Sequence, residues 1–104
     1  TRKLLPFEVI VTYHEYDRLL SFASVHHALR AEKLLAAAGI RLAAVPTPRE
    51  VDISCGQCLL FAAIYEQAVL ELLAANRVRW AKLFRRDGVK KIYEKLLDQG
   101  GAQT

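Results

Sequence analysis

The chain has 104 residues, of which 53% are hydrophobic and 25% are charged, and its formal net charge is +4. A chain of this length is expected to form one domain around one core, and no apolar run approaches the roughly 20 residues that a membrane-spanning helix requires. The N-terminus also lacks the pattern of a secretory signal peptide, so we expect a cytoplasmic protein whose two cysteines are reduced. We predict a single domain over residues 1–104, with a core of about 18–84 and an N-terminal extension over 1–17.

The first half of the chain reads as two strands, a helix and a third strand. Residues 7–13 are rich in β-branched side chains and are predicted to form an added edge strand, while 18–23 form the first strand of the core sheet. Ser24 is a good N-cap for a helix whose apolar residues recur at i, i+3, i+4 and i+7, and Gly39 is expected to end that helix. Residues 40–45 then read as a short strand.

The second half is predicted to form a strand, a helix and a strand, followed by a last helix. Residues 58–62 are an apolar run of strand length, and 65–75 show helical spacing that Asn76 could close in a left-handed conformation. Residues 78–84 alternate as a strand does. Asp87 is predicted to cap a C-terminal helix over about 87–98, because apolar residues again recur at helical spacing in Val89, Ile92, Tyr93, Leu96 and Leu97.

This order predicts an α+β domain. Two strand-helix-strand units in succession are typical of a ferredoxin-like βαββαβ sandwich, in which an antiparallel sheet has two helices on one face. The extra N-terminal strand and C-terminal helix are expected to cover the open sheet face or to form a homodimer interface.

The stretch between the two units holds both cysteines and two of the three prolines. Pro46 and Pro48 fix their own backbone angles and donate no amide hydrogen bond, so this loop should be exposed and stiff. Cys55 is followed by Gly56, which lacks a Cβ and would let another molecule approach the sulfur. We predict that this loop is the functional site, with Arg49 close enough in sequence to fold over Cys55.

Cys55 and Cys58 have the CxxC spacing, which several kinds of site share. A dithiol redox motif would require the first cysteine at a helix N-terminus, whereas a strand is predicted to follow here. A zinc site would require two further ligands, for which only His14, His26 and His27 are available, and we therefore expect no metal and no cofactor. A CxxC thiol-disulfide redox protein stays open as an alternative, because Gly56 allows the turn that such a couple would require. The third chemical interpretation is one nucleophilic thiol, Cys55, with Cys58 packed as a small hydrophobe. A connector loop with two inert cysteines is the unreactive alternative.

The chain resembles the small bacterial family of sulfur/selenium carrier-like proteins. The resemblance rests on the run 24–35 with its Ala-x-x-Ala-Glu-Lys-like pattern, on Gly39 and Ile40, on the Pro-Thr-Pro-Arg-Glu segment 46–50, and on the Ser-Cys-Gly motif 54–56. It implies a carrier thiol at Cys55, helped by Arg49 and with His27 nearby. From the loop residues and the resemblance together, we expect Cys55, Cys58 and Arg49 to take part in the chemistry, and Pro46, Thr47, Pro48, Ser54, Gly56 and His27 to take part in binding.

The resemblance also implies partners. A desulfurase-type enzyme would donate sulfur or selenium as a persulfide, and an acceptor protein would receive it, so we expect a carrier and not a turnover enzyme.

The sequence differs from the family pattern in three ways: in Asp52 and Ile53 before the motif, in Cys58, and in longer termini. An acidic Asp52 near the thiol would oppose its ionisation unless Arg49 neutralises it. Cys58 is either a core residue or a second thiol that resolves the persulfide.

Positive charge is concentrated after Asn76, where eight basic residues face three acidic ones. Such a cluster could steer an anionic partner, but charged outer faces are common and no aromatic stacking platform accompanies it, so we do not expect nucleic acid binding. A non-catalytic interaction module that docks a partner through the Pro-rich loop and the basic C-terminal helix remains the main alternative to the carrier.

Overall fold

The computed structural model describes residues 16–49, 51, 56–87 and 92–99. Within them the strands are β1 (Arg18–Ser21), β2 (Ala43–Pro46), β3 (Gln57–Phe61), β4 (Lys82–Asp87) and β5 (Ile92–Asp98). The helices are α1 (Val25–Ala37) and α2 (Glu66–Ala75), the latter preceded by a 3-10 turn over Ala63–Tyr65. The strands form one antiparallel sheet in the order β2-β3-β1-β4-β5.

Alternation along the strands divides the buried residues between the two faces of the sheet. On one face both helices cover a cluster that includes Leu20, Leu59 and Leu83 from the three central strands, together with Leu35 of α1 and Leu73 of α2. On the opposite face a second cluster is formed by Tyr16, Leu19, Ala43, Cys58, Leu60 and Phe84. The sheet is therefore buried on both faces in its centre.

The helices begin and end where the sequence predicts, but a different residue takes the left-handed conformation after α2. Ser24 caps α1 by accepting hydrogen bonds from the amides of His26 and His27, and Gly39 follows α1 with a φ of +82°. After α2, however, Arg77 and not Asn76 takes the left-handed conformation, with a φ of +57°. Asn76 keeps a negative φ because its side-chain amide donates to the carbonyl of Leu72, at 2.8 Å, and so caps the helix directly.

The α+β class is confirmed, as are the antiparallel sheet and its two helices. The ferredoxin-like topology is not confirmed, because the observed sheet has a fifth strand, β5, beyond β4 and so differs from the four-stranded arrangement. The predicted N-terminal strand over 7–13 lies outside the described residues. Strand bounds move by a few residues, most at the strand predicted over 78–84, which begins at Lys82 as β4.

The predicted C-terminal helix is wrong, because residues Ile92–Asp98 form strand β5, which pairs with β4. A β-bulge between Leu83 and Phe84 accounts for the misreading. Leu97 lies opposite Leu83 whereas Lys95 lies opposite Phe84, so Leu96 is an extra residue in the ladder. An extra residue shifts the two-residue alternation of a strand, and the shifted apolar positions then imitate helical spacing.

Candidate functional site

Several sequence-predicted site residues meet at one end of the sheet. At this end Ser21, the last residue of β1, is paired with Cys58 near the start of β3 and with Lys82 at the start of β4. Pro46, the last residue of β2, is paired there with Gln57. We call this the loop end of the sheet. The described residues of the β2–β3 loop, which are 47–49, 51 and 56, lie at the loop end together with the beginning of α1.

Backbone hydrogen bonds hold the Pro-rich part of this loop. The amide of Thr47 donates to the carbonyl of Gly56 at 3.2 Å, which continues the β2–β3 pairing by one step. The amide of Val51 donates to the carbonyl of Pro48 at 3.0 Å and closes a four-residue turn with Arg49 in its second position. Val51 also packs against the cluster on the face away from the helices. The loop is thus braced by its own backbone and by the core, as the two prolines predict.

Two side chains of this loop have polar groups without a bonding partner among the described residues. Arg49 is exposed and forms no ion pair with any residue that the structure describes. The hydroxyl oxygen of Thr47 is buried and has no hydrogen-bond partner within the described ranges. A buried hydroxyl without a partner costs about 1–3 kcal/mol, so a group that accepted its hydrogen would be stabilised there. Arg49 and Thr47 therefore offer a positive charge and a hydrogen-bond donor on the same loop.

Gly56 leaves open space beside the backbone. A Cβ built on it would meet no atom within 4 Å, and its φ does not lie in the left-handed region. The backbone conformation at Gly56 therefore does not itself require a glycine. Open space does lie beside Gly56, the residue that follows Cys55 in the sequence.

Cys58 is enclosed in the core. It belongs to β3, has no exposed surface, and packs in the cluster that contains Leu19, Leu60 and Phe84. Its thiol lies 4.0 Å from the carbonyl oxygen of Pro46, a long contact in which sulfur donates. Because Cys58 lies in a strand and not one turn along a helix, the helical form of a CxxC redox motif is absent at this residue.

Cys55 and Ser54 lie outside the described residues, as do Glu50, Asp52 and Ile53. The other loop residues expected in the site are described, and Pro46, Thr47, Pro48, Arg49 and Gly56 are together in the braced loop.

His27 lies at the loop end but turns away from the loop. Its Nδ1 accepts a hydrogen bond from the amide of Arg79 at 3.1 Å, on the β4 side of β1. The prediction of His27 near the Pro-rich loop is therefore met only in that both lie at the same end of the sheet.

A pocket of about 240 Å³ adjoins His27 and is a feature that the sequence analysis missed. Its walls come from the start of α1 and from the segment before β4, and are formed by Ala23, Ser24, His27, Arg79, Trp80 and Ala81. The sequence offered one signal for it, since the chain's single tryptophan follows an arginine within the strand predicted over 78–84. Trp80 also packs partly against the core on the helix side of the sheet.

A family model described as "Putative Se/S carrier protein-like" matches residues 17–85. The chain belongs to this family. The match runs from the residue before β1 into β4, and it includes both helices and the whole β2–β3 loop with Cys55. Strand β5 lies beyond it. Comparison with curated proteins and with solved structures returned no match.

Two further observations concern the described part of this Se/S carrier-like protein. No helix in it combines the length and the apolar character that crossing a bilayer would require. Nor do three or more His, Cys, Asp or Glu side chains come together within the described ranges in a way that could ligate a metal ion.

Proposed function

We propose that this protein carries a sulfur or selenium atom on Cys55, as a persulfide or selenopersulfide, between a donor and an acceptor protein. One observation carries the proposal: of the two cysteines in the chain, Cys58 is sealed in the core. The family match supports carriage of sulfur or selenium, and a carrier thiol must be reached by other proteins. Cys55 is the cysteine that remains for this role.

The transfer we propose is an exchange between thiol and persulfide. The Cys55 thiolate attacks the outer sulfur of a donor persulfide, a new S–S bond forms at Cys55, the S–S bond of the donor breaks, and the donor cysteine leaves as a thiolate. Sulfur atoms and electrons balance, so the step requires no external oxidant or reductant. Delivery to the acceptor repeats this exchange with Cys55 as the leaving group.

The loop supplies two groups suited to this chemistry. The guanidinium of Arg49 stabilises negative charge on the thiolate or on the terminal sulfur of the persulfide, and no described carboxylate competes for it. The buried hydroxyl of Thr47 can donate one hydrogen bond to the same sulfur. The braced backbone would hold these groups in place without further ordering cost.

We also infer a topology and a cellular compartment that accompany this role. The β1-α1-β2-β3-α2-β4 succession supports a ferredoxin-like unit with β5 added at its edge. A reducing compartment such as the cytoplasm would keep the carrier thiol available, because disulfides there are held reduced.

Mass spectrometry of the intact protein tests the carrier. The reduced chain is incubated with a low-molecular-weight persulfide, desalted and weighed without reductant. We expect wild type and Cys58→Ala to gain the mass of one sulfur atom, and Cys55→Ser to gain none. The Cys58→Ala variant is the matched control, because it removes a thiol of the same chain.

An adduct that survives in Cys55→Ser, or that disappears in Cys58→Ala while the variant remains folded by circular dichroism, would contradict the assignment. If no variant gains sulfur, the loop serves as a docking element without thiol chemistry.

A further inference from the structure

The pocket at the start of α1 shares no residue with the Pro-rich loop that carries the proposed thiol site. The pocket at the start of α1 is on the β4 side of β1, whereas the Pro-rich loop leaves from β2 on the far side of β3. Because neighbouring strands are about 4.8 Å apart, the starts of β3 and β4 are separated by roughly 10 Å. The pocket therefore has to be explained by its own residues.

The backbone around β1 fixes the pocket wall. The amide of Ala81 donates to the carbonyl of Ser21 at 2.7 Å, and the amide of Lys82 donates to the hydroxyl of Ser21 at 3.1 Å. The amide of Trp80 donates to the side-chain oxygen of Gln99 at 2.8 Å. These three bonds hold Trp80 and Ala81 of the wall and the adjoining Lys82, so the pocket is preformed.

One hydrogen bond sets the orientation of His27. Its Nδ1 accepts the amide hydrogen of Arg79, so in this geometry Nδ1 carries no hydrogen and the neutral ring carries its hydrogen on Nε2. The imidazole consequently acts as a donor at the ring nitrogen that is not bound to the protein backbone. His27 lines the pocket, so a ligand there would find the Nε2–H of His27 as a hydrogen-bond donor.

The charge around the pocket has one sign. Arg79 is exposed and forms no ion pair with the described residues, and neither 18–31 nor 76–86 contains an aspartate or a glutamate. The nearest described carboxylate on the pairing strand is Asp98, opposite Lys82, and it is engaged by Lys95 at 3.4 Å. The first turn of α1 also lacks acidic residues. An anion entering this pocket would meet no described carboxylate from its walls.

We propose that this pocket binds a small oxyanion of the phosphate or sulfate type. The guanidinium of Arg79, the Nε2–H of His27 and the indole N–H of Trp80 are all donors, and charged donors form the stronger hydrogen bonds to oxyanions. The volume of about 240 Å³ lies below the range of roughly 300–1,000 Å³ typical of sites for drug-sized ligands, which favours a small ion or one phosphate group of a larger molecule.

Titration of the full chain with inorganic phosphate, followed by ¹⁵N NMR at constant ionic strength, tests the site. We expect saturable shifts of the Trp80 indole N–H and of the Arg79 amide. Arg79→Gln should weaken phosphate binding about tenfold, since it removes a charged donor. It keeps the backbone amide of residue 79, which donates the hydrogen bond to Nδ1 of His27. Arg41→Gln is the matched control, because Arg41 is equally an exposed arginine but precedes β2 at the opposite end of the sheet.

Shifts that rise linearly without saturating, or that are equal in wild type and Arg79→Gln, would overturn the site. Equal shifts with chloride would also overturn it, because they would show general screening of charge. Cys55→Ser should bind phosphate as wild type does, so failure of the sulfur carrier and failure of the anion site are distinguishable.

Discussion

Phe61→Ala is expected to lower the free energy of unfolding by about 3–5 kcal/mol, the range measured for truncating a buried phenylalanine. Phe61 is the last residue of β3, has no exposed surface, and belongs to the cluster between the sheet and the helices. Alanine would leave a cavity that the rigid strands on either side can close only in part. Small domains are stable by about 5–15 kcal/mol, so this one change removes a large share.

Urea denaturation followed by circular dichroism measures the loss. Ile64→Ala is the control, since Ile64 lies in the 3-10 turn after β3 and its side chain is 84% exposed. It should change stability by less than about 0.5 kcal/mol. Equal losses in the two variants would show that Phe61 does not lie in the core and that the arrangement of β3 against the helices is incorrect.

Arg49→Glu is expected to slow sulfur loading of the chain by about tenfold. An exposed ion pair is worth about 0.2–1 kcal/mol, and reversing the charge replaces that attraction with repulsion of similar size, so the two contributions add. Arg49 occupies the turn closed by Pro48 and Val51 and forms no described ion pair, so its charge is available to the thiolate. The rate of appearance of the sulfur adduct measures the effect.

Salt separates an electrostatic role of Arg49 from a structural one. The difference between Arg49→Glu and wild type should shrink at about 1 M salt, where the Debye length is roughly 3 Å. Arg41→Glu makes the same charge change at the other end of β2 and should load at the wild-type rate. A difference that does not respond to salt would indicate that Arg49 shapes the loop and does not stabilise charge on sulfur.

Local chemistry made the helices and the loop predictable. Ser24 and Gly39 bound α1 because a hydroxyl acceptor and a left-handed glycine each solve a specific problem at a helix end. Pro46 ends β2, an outer strand of the described sheet, where a missing amide hydrogen breaks no ladder. These residues act within a few positions of themselves, and sequence alone contains that information.

Pairing between distant segments was harder to read. The C-terminal segment has apolar residues at helical spacing, yet pairing with β4 makes it a strand, and the bulge at Leu96 hides the strand alternation. The same limit applies to the site. The motif predicts a site in the loop at Cys55, whereas the pocket forms only because β1 brings the start of α1 beside Trp80, more than fifty residues later.

Peptide mapping of the loaded chain tests the central claim most directly. Wild type is loaded with persulfide, half is digested without reductant, and half is first mixed with an excess of a thiol acceptor. We expect the added sulfur on the peptide that contains Cys55, and after the acceptor we expect Cys55 as a thiol with the sulfur on the acceptor. Added sulfur on Cys58, or a Cys55–Cys58 disulfide formed with release of sulfide, would contradict the carrier.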